Sequence, residues 1–278
     1  MRKRALITGA NTGIGKATAQ QLASLGWEVI IACRDEHKAR VAVDDIITAT
    51  GNTKVDICIV DFALQSSIRK CAKNILDTYD RLDVLINNAG VLMPRQTYTD
   101  DSIEQTFAVN HIGYFLLTYL LLDNIKNTIS PRIVNITSNA HFKGMIDFNN
   151  INLINNWNSW KAYYQSKLAN VLFTYELSRR LEGAGVTVNC LHPGYVRSEF
   201  GRDHKKYQSL AQRQDHIRIS CEESAQSVVY LAASPEVKDL SGYYYDQMRK
   251  TASSALSYDE DIARRLWAES IKLCNLTS

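Results

Sequence analysis

The chain has 278 residues, of which 45% are apolar and 22% are charged, and these proportions are typical of a globular α/β protein. Its formal net charge is +3 with both signs interspersed, which argues against a nucleic-acid-binding stripe. No apolar run approaches the ~18 residues of a membrane span, and the first apolar run is too short for a signal peptide. The six cysteines form no C-x-x-C pair, so we expect no metal site and a cytoplasmic location, at most peripheral to membranes.

Short apolar runs rich in Val and Ile alternate along the chain with longer stretches of helical periodicity. Strands are predicted over residues 5–8, 29–33, 54–60, 84–87, 132–137 and 186–191. The clearest helices are predicted over residues 16–25, 64–79, 107–122 and 162–181. Because the strands are continuously apolar, both faces of their sheet should be covered. The pattern predicts one α/β domain over residues 1–278, with a doubly wound, Rossmann-type parallel sheet of about seven strands and helices on both faces.

A glycine-rich loop joins the first predicted strand to the first helix and reads Thr-Gly-Ala-Asn-Thr-Gly-Ile-Gly over residues 8–15. Glycine allows a ligand to approach the backbone closely, and a helix N-terminus offers free N–H groups to phosphates. The spacing is neither a strict G-x-G-x-x-G nor a Walker A motif. Its position between a strand and a helix still favours dinucleotide binding over a bare turn. The predicted contacts are Gly9, Asn11, Thr12, Gly13, Ile14 and Gly15.

The end of the second predicted strand bears on the choice of nicotinamide cofactor. An acidic residue there binds the adenosine ribose of NAD, whereas an arginine accepts the 2′-phosphate of NADP. Arg34 falls close to the expected distance after Gly15, so NADP is predicted over NAD. Two alternatives stay open: Arg34 pairs only with Asp35, or Asp35 itself binds the ribose.

Tyr163 and Lys167 are four residues apart in a predicted helix and should share one face. A lysine ammonium about 4 Å away would bring the tyrosine pKa from near 10 toward neutrality, where acid–base catalysis is efficient. Tyr164 is a rival, but the residue four positions after it is Leu168. By itself the pair is a weak signal, since an exposed tyrosine packed on a lysine stem has the same spacing.

Taken in order, these motifs resemble the short-chain dehydrogenase/reductase family over essentially the whole chain. Further landmarks of that family follow the predicted strands: Asp61 after the third, Asn88, Ala89 and Gly90 after the fourth, Asn110 in the next helix, Ser138 at the end of the fifth, and Pro193 and Gly194 after the sixth. Five ordered motifs are a specific signal, although each has a structural alternative when it is taken singly.

The resemblance implies a role for each landmark. Tyr163 would be the general acid/base, and Lys167 would lower its pKa and bind the nicotinamide ribose. Ser138 would hold the substrate oxygen, with Thr137 as the less favoured alternative, and Asn110 would anchor a water molecule in a proton relay. Asp61, Asn88, Ala89, Gly90, Pro193, Gly194 and Val196 would contact the cofactor. No metal is implied.

Within the family, residues 32–35, 166–170 and 263–267 resemble the retinol dehydrogenase-like group. This implies an NADPH-dependent enzyme for retinal, other lipid aldehydes or hydrophobic ketones. The alternatives are a reductase of steroids or small xenobiotic carbonyls and, in another class, a non-catalytic NADP-binding scaffold or redox sensor. Members of the family are frequently homo-oligomers. Membrane-bound members carry an N-terminal anchor, whereas this chain begins almost directly at its first predicted strand.

Residues 198–220 are polar, show no clear strand and follow the sixth predicted strand. Ligands of open α/β sheets bind beyond the carboxyl ends of the strands, so this insertion is predicted to cover a substrate. Large apolar side chains expected to line the substrate pocket are Phe142, Met145, Trp157 and Trp160.

Overall fold

A computed structural model of the protein describes residues 2–277, which fold around a single eight-stranded sheet. The strands are β1 (Arg4–Thr8), β2 (Glu28–Cys33), β3 (Val55–Ile59), β4 (Val84–Asn87), β5 (Arg132–Ile136), β6 (Thr187–His192), β7 (Tyr243–Asp246) and β8 (Arg249–Thr251). Their order is β3-β2-β1-β4-β5-β6-β7-β8, and every pair of neighbours is parallel except β7 and β8. The predicted doubly wound parallel sheet is confirmed, with eight strands instead of about seven.

The strand beyond the predicted number is a short antiparallel addition at the sheet edge. All three residues of β8 are exposed, and two of them are charged. A strand of this kind has no apolar run, so hydrophobic periodicity does not reveal it. Its position is set by its pairing with β7.

Helices cover both faces of the sheet. They are α1 (Gly13–Ser24), α2 (Glu36–Thr50), α3 (Gln65–Thr78), α4 (Gln105–Phe107), α5 (Gly113–Lys126), α6 (Ser159–Arg180), α7 (Lys205–Arg213), α8 (Cys221–Ala233) and α9 (Glu260–Leu273). A π-helical segment, Ala108–Ile112, joins α4 to α5. Within residues 2–277, every helix is too short or too polar to serve as a membrane span.

Successive residues of the central strands point into two separate hydrophobic cores. Ala5 and Ile7 of β1 pack in the core that contains side chains of α1, α2 and α8. Leu6, between them, packs in the core that contains side chains of α3, α5, α6 and α9. Since both faces are buried, apolar residues can follow one another along the central strands, which explains the continuous Val- and Ile-rich runs.

The strand order reverses at β1, which lies between β2 and β4. The chain leaves the carboxyl ends of β1 and β4 in opposite directions and so opens a crevice between the two connecting loops. Loops that carry most of the predicted site residues therefore meet at this edge of the sheet.

Candidate active site

A cavity of about 1060 Å³ opens at the carboxyl edge of the sheet. Its walls come from the loops after β1 to β6, the start of α6 and the segment after β6. Seventeen of the eighteen predicted site residues line it: Gly9, Asn11, Thr12, Gly13, Ile14, Gly15, Arg34, Asp61, Asn88, Ala89, Gly90, Ser138, Tyr163, Lys167, Pro193, Gly194 and Val196. Asn110 is the predicted residue that the cavity wall does not include.

The glycine loop forms a close-packed cradle at one end of the cavity. A Cβ on Gly15 would lie 2.5 Å from the Gly9 carbonyl oxygen and 2.6 Å from Asn88 Nδ2, so no larger residue fits there. Gly13, by contrast, has a φ of +59°, and a Cβ there would make only an ordinary contact with Ser198 Cβ at 3.6 Å. Thr12, the N-cap of α1, makes no side-chain capping bond. The helix start therefore presents backbone N–H groups and the positive end of its dipole, an arrangement that fits a pyrophosphate.

Hydrogen bonds join this cradle to the loop after β4. Thr8 Oγ1 accepts from the backbone N–H groups of Asn88 at 2.8 Å and of Ala89 at 2.9 Å. In return, Asn88 Nδ2 donates to the Thr8 carbonyl oxygen at 2.7 Å. These reciprocal bonds hold the two sides of the crevice in one arrangement.

The cationic side chain predicted to select the cofactor lies at the end of β2. Arg34 Nη1 is 3.7 Å from Asp61 Oδ2, and the Arg34 side chain is 73% exposed, so its guanidinium is accessible from the cavity. Asp35 caps α2 instead of facing Arg34, since its Oδ1 accepts from Lys38 N at 3.0 Å. That backbone bond lowers the pKa of the exposed Asp35 carboxyl. The Asp35 carboxylate is already bonded at the start of α2. The arrangement therefore favours neither the pairing of Arg34 with Asp35 nor the binding of a ribose by Asp35.

Ser138 and Tyr163 meet across the cavity, where β5 ends and α6 begins. The Ser138 hydroxyl lies close enough to that of Tyr163 to act on the pKa of the phenol, which it lowers. Ser138 Oγ also accepts from Ala140 N at 3.1 Å, which caps the short helix Asn139–Lys143. Thr137, the alternative to Ser138, donates its hydroxyl to the Lys167 carbonyl oxygen at 2.8 Å and is buried. Ser138 is therefore the residue whose hydroxyl adjoins the Tyr163 hydroxyl.

Lys167 lies one turn after Tyr163 on α6, as the spacing predicts. Its Nζ is 5.6 Å from the centre of the Tyr163 ring and donates to the Ile136 carbonyl oxygen at 3.1 Å. Only 3% of Lys167 is exposed, and this burial lowers its pKa to about 7. The neutral amine of Lys167 is thus accessible near neutral pH.

The net shift in the pKa of Tyr163 is upward, opposite to the lowering expected from Lys167. Burial raises the pKa of Tyr163 above its usual value, and the Ser138 hydroxyl opposes that rise only in part. The physical reason is that Lys167 is buried and Tyr163 is half-buried, so the charged form of each group loses hydration. The phenol is consequently held in its protonated form.

Asn110 belongs to the π-helical segment and is completely buried. Its Oδ1 accepts from Val91 N at 2.8 Å, while its Nδ2 donates to the Val91 carbonyl oxygen and to Ser166 Oγ, each at 3.0 Å. A Cβ placed on Gly90 would lie 3.5 Å from Asn110 Oδ1 and 3.7 Å from Lys167 Nζ. The Asn110 side chain therefore fixes the loop after β4 beside Lys167, and its polar atoms are occupied by protein groups.

The cavity wall beside Tyr163 differs from the predicted apolar pocket. Trp160 lines the cavity, but the side chains of Phe142 and Met145 are turned to solvent, at 54% and 72% exposure. Trp157 instead donates from Nε1 to Glu104 Oε1 at 3.2 Å. The prediction was therefore wrong for three of the four residues. The position of a loop residue in the sequence does not determine the direction in which its side chain points.

Aromatic residues from the polar segment after β6 take their place. Phe200 and Tyr207 line the cavity, and the Phe200 ring centre is 5.5 Å from that of Tyr163. Sequence analysis missed both residues, although they are the two aromatics within an otherwise charged stretch. Tyr195 was also missed; its hydroxyl accepts from Asn139 Nδ2 at 2.7 Å beside Ser138.

Comparisons with known proteins agree with this geometry. The family model described as short chain dehydrogenase matches residues 3–209. The chain is 47% identical to human retinol dehydrogenase 13, over 99% of this chain and 85% of that protein. It is 42% identical to human retinol dehydrogenase 11, over 99% and 86% of the two chains.

Solved structures give the same result. A crystal structure of an uncharacterized protein from Mycobacterium paratuberculosis superimposes with a TM-score of 0.79 at 33% identity, covering 99% of this chain and 94% of that one. A short chain dehydrogenase from Burkholderia cenocepacia, in complex with NADP, gives a TM-score of 0.72 at 25% identity, covering 88% and 95%. The predicted family is confirmed: the chain belongs to the short-chain dehydrogenases, is similar to retinol dehydrogenases, and is an oxidoreductase enzyme.

Proposed function

We propose that the protein is an NADP(H)-dependent oxidoreductase that interconverts a hydrophobic aldehyde or ketone, retinal-like or another lipid carbonyl, and its alcohol. The observation that carries the proposal is one continuous cavity. It is lined by the glycine loop, by Ser138 and Tyr163, and by the aromatic rings of Phe200 and Tyr207. Its volume of about 1060 Å³ is large enough for a dinucleotide and an apolar substrate together.

In the proposed reduction, Ser138 Oγ and the Tyr163 hydroxyl both donate hydrogen bonds to the substrate carbonyl oxygen. The nicotinamide cofactor, when bound, supplies the hydride for the carbonyl carbon. Tyr163 then transfers its proton to the developing alkoxide oxygen, which leaves the alcohol and a phenolate. The raised pKa of Tyr163 suits this step because the acid is fully protonated at neutral pH.

Lys167 stabilises the phenolate in the proposed mechanism and returns the proton. A pKa of about 7 allows Lys167 to give up and regain a proton near neutral pH. We assign Asn110 a positioning role, since its amide holds the backbone of Val91 next to Gly90 and Lys167. Gly90 and Pro193 would border the nicotinamide end, with Asp61 near the adenosine end of the cavity.

NADP is the proposed cofactor because the guanidinium of Arg34 is exposed beside the end of β2. A 2′-phosphate there would meet a fixed positive charge, with Lys38 also on the cavity wall. The structural relative from Burkholderia cenocepacia that binds NADP supports the same choice.

A hydrophobic substrate is supported by the aromatic wall and by the retinol dehydrogenases among the relatives. Residues 198–220 would form the cover over this substrate, and Phe200 and Tyr207 would contact its apolar part. All six cysteines are free thiols, which suits a cytoplasmic protein in a reducing compartment. Homo-oligomerisation stays a prediction.

Exchange of Tyr163 for Phe tests the mechanism. Tyr163→Phe removes the proton donor but keeps the ring, so kcat with NADPH and a panel of aldehydes, ketones and steroids should fall by at least about 100-fold. The Kd for NADPH should stay within about twofold, because the phenol contributes little to the binding of the phosphates. Steady-state kinetics and cofactor fluorescence titration measure the two quantities.

Tyr164→Phe is the matched control, since Tyr164 also lines the cavity but packs against Trp160 and Lys143 instead of Ser138. Its kcat should remain within a few-fold of wild type. Undiminished turnover of Tyr163→Phe would contradict the mechanism. A wild-type protein that binds NADPH but reduces no carbonyl of the panel would instead favour the non-catalytic scaffold.

A further inference from the structure

The aromatic wall over Tyr163 comes from a segment with few attachments to the rest of the chain. Phe200 packs on Tyr163, and Tyr207 packs edge-on against Phe200 with ring centres 5.4 Å apart. A Cβ on Gly201 would lie 2.5 Å from the Tyr207 ring, so the backbone and the two rings are closely packed together. We call residues 199–214 the wall segment.

Hydrogen bonds within the wall segment are almost all local. Arg202 pairs with Glu199, His204 N donates to the Gly201 carbonyl oxygen, and Gln208 Nε2 donates to that same oxygen. Among residues 2–277, a single hydrogen bond joins a side chain of this segment to the rest of the protein, and no ion pair does. That bond connects His204 Nε2 with Ser159 Oγ over 2.8 Å.

The His204 side chain makes one hydrogen bond within the wall segment and one to α6. It is 5% exposed, and its Nδ1 accepts from Tyr207 N at 3.1 Å, which caps the start of α7. Because Nδ1 is an acceptor, the neutral ring carries its proton on Nε2 and donates it to Ser159. The Trp160 ring packs edge-on against the imidazole at 5.8 Å and shields this bond.

Ser159 is the first residue of α6, the helix that carries the reacting tyrosine and lysine. It precedes Tyr163 by four residues and so lies on the same helical face. The hydrogen bond from His204 therefore connects the wall segment to the face of α6 that carries Tyr163, one turn before that residue. The Trp160 ring adds a second contact on this side, since its centre is 6.1 Å from that of Tyr207.

We propose that His204 is a positioning residue: its hydrogen bond to Ser159 holds the aromatic wall against Tyr163 and thereby sets the affinity for the apolar part of the substrate. The inference rests on the proposed function for its substrate, but the attachment itself does not. Loss of the bond lets the wall move away, which weakens contacts that the substrate makes equally before and during reaction. Such a loss raises KM and leaves kcat nearly unchanged.

Two substitutions break the bond from opposite sides while the α7 cap is kept. His204→Asn retains an N-cap acceptor but is too short to reach Ser159, and Ser159→Ala removes the acceptor and leaves His204 in place. His216→Asn is the matched control, because His216 is an exposed histidine in the neighbouring short helix Asp215–Ile217 and makes no side-chain hydrogen bond within the described chain. The double variant His204→Asn/Ser159→Ala completes a double-mutant cycle, which measures the coupling between the two side chains.

The measurements are KM and kcat for a long-chain and a short-chain aldehyde with NADPH, and amide hydrogen exchange of peptides from the wall segment without substrate. Both single variants should raise KM for the long-chain aldehyde about threefold to tenfold, with kcat within about twofold, and the double variant should add little more. Exchange in the wall segment should be faster in both, whereas His216→Asn behaves as wild type.

Unchanged exchange in both variants would overturn the attachment. Faster exchange with unchanged KM would overturn its role in substrate affinity, and so would equal increases in KM for the long and short aldehydes. A wild-type protein without turnover would refute the proposed function, while the exchange data would still decide whether His204 holds the wall.

Discussion

At the scale of single residues, burial governs the protonation of the proposed catalytic pair. Lys167 is buried and Tyr163 is half-buried, so the pKa of the phenol is raised and that of the ammonium is lowered to about 7. Both shifts favour the neutral forms. The helical spacing of the pair is enough to predict their proximity, but not the direction of the shift in the tyrosine pKa. Solvation depends on side chains from distant parts of the chain, such as Phe200.

Arg34 is the residue on which the proposed cofactor preference depends. Arg34→Ala should weaken NADPH binding about tenfold, the loss of one charge-assisted contact, and leave NADH binding within about twofold. Kd values for both cofactors from fluorescence titration check this. Arg40→Ala is the control, because Arg40 lies on the following helix, pairs with Glu36 and is not on the cavity wall. Equal losses for NADPH and NADH would refute the assignment of Arg34.

At the scale of elements, the turn from β1 into α1 depends on close packing between two loops. Gly15 lies against the Gly9 carbonyl oxygen and the Asn88 side chain. Its sequence position, between a strand and a helix, identifies the loop as a candidate phosphate site. The contact with the loop after β4 is not encoded in that position and arises only because β1 and β4 are neighbours in the sheet.

Gly15→Ala should distort this turn, since the added Cβ would lie within 2.9 Å of three atoms. We expect NADPH affinity to fall more than about tenfold, because the backbone N–H groups of α1 would shift from the phosphates. Gly26→Ala is the comparison: nothing lies within 4 Å of its Cβ, so only its positive φ of +78° is penalised. It should lose about 1 kcal/mol of stability but keep its NADPH affinity. Isothermal titration and thermal melting separate the two effects.

At the scale of the whole molecule, several buried basic groups make stability depend on pH. Burial lowers the pKa of His111 and of His192 to about 4, and that of Lys167 to about 7. In each case the unfolded chain binds the proton more readily than the folded protein does. The free energy of unfolding therefore rises with pH, between about 4 and 6.5 for the histidines and above 7 for the lysine.

Wild-type protein should lose stability as the pH falls from 8 to 5, by about 2 kcal/mol for each of the two histidines. His111→Gln removes one of these groups, so its stability should depend less steeply on pH over this interval. Chemical denaturation at several pH values measures the slope. An equal slope in the variant and the wild type would show that His111 does not contribute.

The alternation of apolar runs and helical periods was sufficient to predict the parallel sheet, because strands buried on both faces can carry apolar residues in succession. The glycine loop and the Tyr163–Lys167 spacing were likewise visible, since local backbone geometry alone requires glycine at a tight turn and places residues four apart on one helical face. These features depend on neighbours along the chain, and for that reason they can be read without a structure.

Other features depend on which distant segments meet. The exposure of Phe142 and Met145, the aromatic wall of Phe200 and Tyr207, and the bond between His204 and Ser159 all follow from the path of the chain after β6. Burial and solvation are properties of the assembled molecule, because water is excluded only where several elements pack together. The protonation of Tyr163 and Lys167 and the shape of the proposed substrate end of the cavity were thus decided by tertiary packing.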